Sequence, residues 1–157
     1  RSDALKMTEP TMLNNAPPLL ATDLEGILLP EIWIAVADAT GIAELRLTTR
    51  DVADYDELMK MRLSVLRSHG LRLTDIQSVI SGLDLLPGAG DLLDAIRRLV
   101  PLVIITDSFY EFTNPVLPKL GFATIFAHTL EVDEAGMLTS YRPRVHHAKR
   151  NALRTFR

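Results

Sequence analysis

The sequence predicts an α/β protein: a parallel sheet whose first strand is followed by a helical insertion. Three patterns predict it. Residues 19–24 (LLATDL) and 102–106 (LVIIT) are short apolar runs, the second strongly β-branched, as suits a parallel strand covered on both faces. Ala89, Leu92, Leu93, Ile96 and Leu99 recur as one helical stripe just before the second run. Between the first run and that stripe the apolar spacing is helical from 31 to 80. With 47% hydrophobic and 24% charged residues, the chain can bury a core.

Taken in order, residues 1–18 lack periodicity and are rich in Pro, Asn and Thr. They predict a disordered tail, with Met7 or Met12 as candidate native starts. Residues 19–24 form the first strand and end in the turn Asp23-Leu24-Glu25-Gly26. Helices follow over 31–39, stopped by Thr40-Gly41, and over 54–68, stopped by His69-Gly70. Another starts at Thr74-Asp75 and runs through Ile76, Val79 and Ile80. The α/β pattern resumes at Leu86-Pro87-Gly88 with the striped helix, then the strand 102–106. A helix over 109–120, weakened by Pro115 and Pro118, leads to a strand at 123–127. Segments 130–132 and 137–141, around Asp133-Glu134-Ala135-Gly136, read as a hairpin. Residues 147–157 form a basic helical segment. The expected organisation is a tail (1–18), a core (19–29 and 83–157) and a helical cap (30–82).

Several classes are excluded at once. Seventeen basic against twenty acidic residues provide no footprint for nucleic acid or an anionic membrane. Cysteine is absent, so disulfides, thiolate nucleophiles and cysteine metal sites fall together. No apolar run approaches the ~20 residues of a membrane span. The expected setting is a soluble, cytoplasmic domain acting on a small molecule.

Asp23 and Glu25 are the first candidates for chemistry. They stand at the carboxyl end of a buried strand, where open α/β sheets bind ligands. One carboxylate can attack an electrophile while the other exchanges a proton, and Mg²⁺ takes the same hard oxygens. An acidic turn alone would look the same, so their company matters. In Thr106-Asp107-Ser108-Phe109 the Thr106 hydroxyl ends the second buried run on the same predicted edge, immediately before a helix whose N–H groups can receive a phosphate; an ordinary helix cap is the plainer reading. Lys149 is the next cation after a strand, in a run otherwise typical of a solvated face. Arg62 shares a helix face with Leu58, Val65 and Leu66, where an aliphatic residue is expected. It either snorkels or meets a buried anion. His69, His128, His146 and His147 lack metal-ligand spacing, and Gly88-Ala89-Gly90 is not followed by the Lys of a phosphate loop.

Together, Asp23-Leu24-Glu25-Gly26, the helical insertion, the strand ending at Thr106 and Lys149 resemble the haloacid dehalogenase superfamily of phosphotransferases. The stretches DLEGILLPEIWIAVADATGI, TTRDVADYDELMKMRL and IITDSFYEF are similar to its phosphoserine phosphatase branch, most of all to bifunctional phosphoserine phosphatase/homoserine phosphotransferases. The resemblance implies a Rossmann-like core with a small helical cap, and a place in serine and threonine biosynthesis. It makes Asp23 the nucleophile, and Glu25 the proton shuttle whose backbone carbonyl joins Asp23 on Mg²⁺. Thr106, Asp107 and Lys149 would hold the phosphoryl group. Glu31 would face the substrate ammonium and Arg62 its carboxylate.

The family also carries an acidic G-D-x-x-x-D or G-D-x-x-N-D motif after a further strand, and the sequence ends at Arg157 before one. Gly90-Asp91-Leu92-Leu93-Asp94 is no substitute, because both aspartates fall on the polar face of the striped helix. The expectation is therefore a catalytically impaired chain with an unpaired, apolar first-strand edge open to self-association. The alternatives are an inactive domain that binds a partner or complementing fragment, and a phosphatase for another small phosphomonoester.

Overall fold

The computed structural model describes residues 18–144, and the expected basic segment 147–157, with Lys149, lies outside them. Four strands form one sheet in the order β1-β2-β3-β4. They are β1 (Leu20–Thr22), β2 (Leu102–Phe109), β3 (Thr124–Val132) and β4 (Leu138–Arg142). The first two pairings are parallel, with Thr22 opposite Ile104 and Ile104 opposite Ile125. The last is an antiparallel hairpin, with Leu130 opposite Tyr141. Between β1 and β2 the chain forms α1 (Ile32–Thr40), α2 (Tyr55–Ser68), α3 (Leu73–Ser81) and α4 (Ala89–Arg97). The predicted α/β architecture, with helices inserted after the first strand, is the one observed.

Local chemistry accounts for the helix boundaries. Helix α1 stops at Gly41, whose φ of 71° is a left-handed cap that costs glycine no Cβ clash. Helix α2 starts where the Asp54 side chain accepts the Glu57 N–H at 2.9 Å. Asp75 accepts the Arg72 N–H at 2.8 Å and closes the start of α3.

Three expectations need correction. The helix foreseen over 109–120 is a single turn, α5 (Tyr110–Thr113), followed by a 3₁₀ turn at Asn114–Val116. Pro115 and Pro118 lack the N–H groups a longer helix would need. Strand β2 runs past Thr106 to Phe109, so Thr106 is not the residue before a helix. The short strands expected at 123–127 and 130–132 are one continuous β3. Of the predicted stripe, Ala89 and Leu93 in α4 are buried, while Leu92 in α4 and Leu99 beyond its end are exposed.

One hydrophobic cluster spans inserted helices and sheet. Trp33, Val36, Met59, Leu66, Ile76 and Ile80 pack in the same buried set as Leu93, Ile104, Phe109, Phe112 and Leu130. Side chains alternate along β2, so Val103 and Ile105 face the opposite side, with Ala21 and Phe126. Polar ties reinforce the shared core: Leu73 N–H donates to Gly136 C=O at 2.9 Å, and Gln77 Nε2 to Glu111 C=O at 2.8 Å. Among the described residues, no helix is long and apolar enough to cross a membrane.

Candidate active site

Parallel pairing of β1 with β2 brings their carboxyl ends to one edge of the sheet, and a cavity of about 220 Å³ opens there. Its core wall is Asp23, Glu25, Thr106, Asp107 and Ser108; its cap wall is Glu31, Trp33, Thr48, Thr49, Tyr55, Leu58 and Arg62. Every candidate site residue among the described ones therefore meets in one place.

Asp23 follows β1 directly, and its Oδ1 accepts the Leu24 N–H at 2.8 Å. The chain then folds back on itself. Leu28 and Leu29 N–H groups both reach Leu24 C=O, and Gly26, at φ 75°, makes the turn. Leu24, Leu28 and Leu29 are buried by this fold-back, which fixes the two carboxylates relative to the sheet. Glu25 Oε2 accepts the Ile32 N–H at 3.1 Å, at the amino terminus of α1. Burial nevertheless pushes the Glu25 carboxyl from the ordinary 4.5 up to about 7. The Ile32 N–H and the Ser108 hydroxyl pull it back, and the Glu31 carboxylate adds to the rise. A carboxyl near neutrality can both donate and accept a proton.

Thr106 and Ser108 are buried and point from the end of β2. The Ser108 N–H donates to Thr106 Oγ1 at 3.1 Å. Asp107 is exposed between them; its Oδ1 lies 3.9 Å from Nε2 of the buried His128. The Arg144 N–H donates to His128 Nδ1 at 3.1 Å, so this nitrogen is the acceptor.

The misplaced cation of the α2 stripe is buried. Arg62 is only 5% exposed, and its Nη2 donates to Leu47 C=O at 2.7 Å. Its guanidinium lies 4.5 Å from the Trp33 ring centre, a cation–π contact. Its Nε has no hydrogen-bond partner among the described residues, a polar atom left over in the cavity wall. Burial lowers its pKa to about 10, while Tyr55, Glu25 and Glu31 raise it; it stays charged at neutral pH.

The donors at the sheet edge are hard oxygens, the class Mg²⁺ selects, and Mg²⁺ needs only one or two protein carboxylates because it keeps several waters. Asp23 with the Glu25 backbone carbonyl fits that minimal requirement. Among the described residues, no group of three acidic or imidazole side chains converges to hold a metal.

Trp33, Thr48, Thr49, Tyr55, Leu58 and Ser108 were not foreseen as cavity residues. Tyr55 could have been found by running the Leu58–Arg62 face one turn back. Thr48 and Thr49 lie in a loop without periodicity and leave no such signal.

The described residues form an α/β protein with a polar cavity at the carboxyl edge of its sheet, and comparison with known proteins identifies its relatives. A phosphoserine phosphatase of Pseudomonas syringae pv. tomato is 49% identical over 142 residues, covering 90% of this chain and 60% of that protein. The phosphoserine phosphatase ThrH of Pseudomonas aeruginosa is 48% identical over 135 residues, covering 86% of this chain and 66% of its own. A crystal structure of an apo phosphoserine phosphatase superposes with a TM-score of 0.69 at 20% identity, over 87% of this chain and 68% of that one; it supports the fold alone. No family model matches. Over most of its own length the chain is similar to proteins named phosphoserine phosphatase, and it spans 60% and 66% of the two curated relatives.

Proposed function

We propose that the protein hydrolyses phosphoserine with Mg²⁺ through an aspartyl-phosphate, with homoserine as a candidate alternative acceptor of the phosphoryl group. The observation that carries this reading is the single cavity joining Asp23, Glu25 and Thr106 to Glu31 and Arg62. The names of the two curated relatives support it.

In this reading an Asp23 carboxylate oxygen attacks phosphorus, and the bond from phosphorus to the seryl oxygen breaks. Glu25 gives its proton to that leaving oxygen. Water, or the homoserine hydroxyl, then attacks the aspartyl-phosphate, returns a proton to Glu25 and frees Asp23. A carboxylate meeting a phosphate dianion costs on the order of 4 kcal/mol per unit charge pair at 4 Å and an effective dielectric of 20. When bound, Mg²⁺ supplies positive charge against that repulsion. The Thr106 hydroxyl and the Asp107 backbone hold the phosphoryl oxygens, with Lys149 as a further cation. Arg62, with its leftover Nε–H, suits a substrate carboxylate, and Glu31 suits an ammonium. Closure of the cap over the substrate would exclude water.

A second reading, a domain that binds a partner instead of turning over substrate, is supported by the outermost position of β1 in the described sheet. One assay separates them. Phosphate release from phosphoserine at saturating Mg²⁺, lost on chelation, supports the enzyme and removes the expected impairment. Preference for a phosphomonoester without an amino-acid end would reject the substrate, and no release from any monoester would reject the enzyme.

A further inference from the structure

We infer that Tyr55, a cap residue, is a positioning residue that aims the Thr106 hydroxyl at the bound phosphoryl group. The inference rests on the reading of Thr106 as a phosphoryl contact. Tyr55 opens α2, and its hydroxyl donates across the cavity to Asp107 C=O at 3.0 Å. That carbonyl belongs to the same peptide unit as the Ser108 N–H, which donates to Thr106 Oγ1 at 3.1 Å. A trans peptide is rigid and its C=O and N–H point in opposite directions. Drawing the oxygen toward Tyr55 therefore turns the N–H toward Thr106.

The consequence falls on the Thr106 proton. A threonine hydroxyl has one hydrogen to give and two lone pairs to fill. With Ser108 N–H occupying a lone pair, its own O–H is directed elsewhere, and the cavity it lines is where a phosphoryl oxygen would accept it. Hydrogen bonds in such a chain polarise one another, so the cap hydroxyl also strengthens the last donor. The remaining surroundings hold Tyr55 still: its ring meets His128 edge-on at 6.2 Å and Tyr141 at 5.7 Å. Tyr141 in turn hydrogen-bonds Asp56, the next residue of α2. Burial keeps the Tyr55 phenol protonated by pushing its pKa well up, so it remains a donor.

Tyr55→Phe keeps the ring and removes only the hydroxyl. In the ligand-free 157-residue chain, exchange of the Ser108 amide is expected to speed about tenfold. Inorganic phosphate, titrated calorimetrically, is expected to bind about threefold to tenfold more weakly to Tyr55→Phe, with no further loss when the change is made in Thr106→Val. Unchanged Ser108 exchange overturns the inference, as does a Tyr55→Phe penalty of equal size with and without the Thr106 hydroxyl. Wild-type protein that binds no phosphate overturns the phosphoryl-site reading instead, while Ser108 exchange still decides whether Tyr55 holds the peptide.

Discussion

The two walls of the cavity are built by different means. The core wall comes from strand ends: Asp23 after β1, then Thr106, Asp107 and Ser108 within β2, where its pairing with β3 shifts register between Ile105 and Phe109. The cap wall comes from one face of α2, a helix start and a loop, and is held by side chains: Arg62 on Leu47 and Trp33, Tyr55 on Asp107. The core wall carries oxygens suited to attack and proton exchange. The cap wall carries the charge suited to recognising the rest of a substrate. The difference teaches that the groups suited to chemistry sit on strand ends and the groups suited to recognition on side chains of the inserted segment, where single substitutions can retune them.

Substitutions on each wall should then fail in different ways. The largest effect is expected for Glu25→Gln, which removes the proposed proton shuttle; turnover should fall about 10²–10⁴-fold with little change in KM, read by steady-state phosphate release. The same variant should change stability with the opposite sign. Glu25 has a raised folded pKa, so ionising it favours the unfolded chain, and stability is lost as pH rises from 4.5 to about 7. The loss amounts to about 3 kcal/mol, and denaturant titrations at pH 5 and pH 8 should show it in the wild type but not in Glu25→Gln.

On the cap wall, Arg62→Met keeps bulk and removes the guanidinium. KM for phosphoserine should rise about 30-fold with a smaller change in kcat, and a monoester without a carboxylate should notice little. Equal losses on both substrates would erase the division between walls. Smallest is Asp54→Ala, which removes the α2 cap: thermal unfolding should report about 1 kcal/mol of lost stability.

Legibility in the sequence followed the same division. Asp23 and Thr106 were readable because parallel strands announce themselves as apolar runs and their carboxyl ends must share an edge. Arg62 stood out against an apolar helix face. What failed was local: the strand was expected to end at Thr106, whereas β2 continues through Ser108 and Phe109, both buried. Sequence alone gives a polar triplet such as Thr106-Asp107-Ser108 the look of a helix cap, and only the resumed pairing of Phe109 with His128 of β3 decides otherwise. Tyr55 acts through a tertiary contact, with its partner 52 residues away, and no local pattern encodes that.

The central claim is that the core wall is where the covalent step occurs. It is tested most directly by quenching the protein during reaction with phosphoserine and locating the phosphoryl group by peptide mass spectrometry. A hydroxylamine-labile phosphoryl group on Asp23, absent in Asp23→Asn, is the predicted result. Undiminished phosphate release by Asp23→Asn, or a phosphoryl group on another residue, would contradict it.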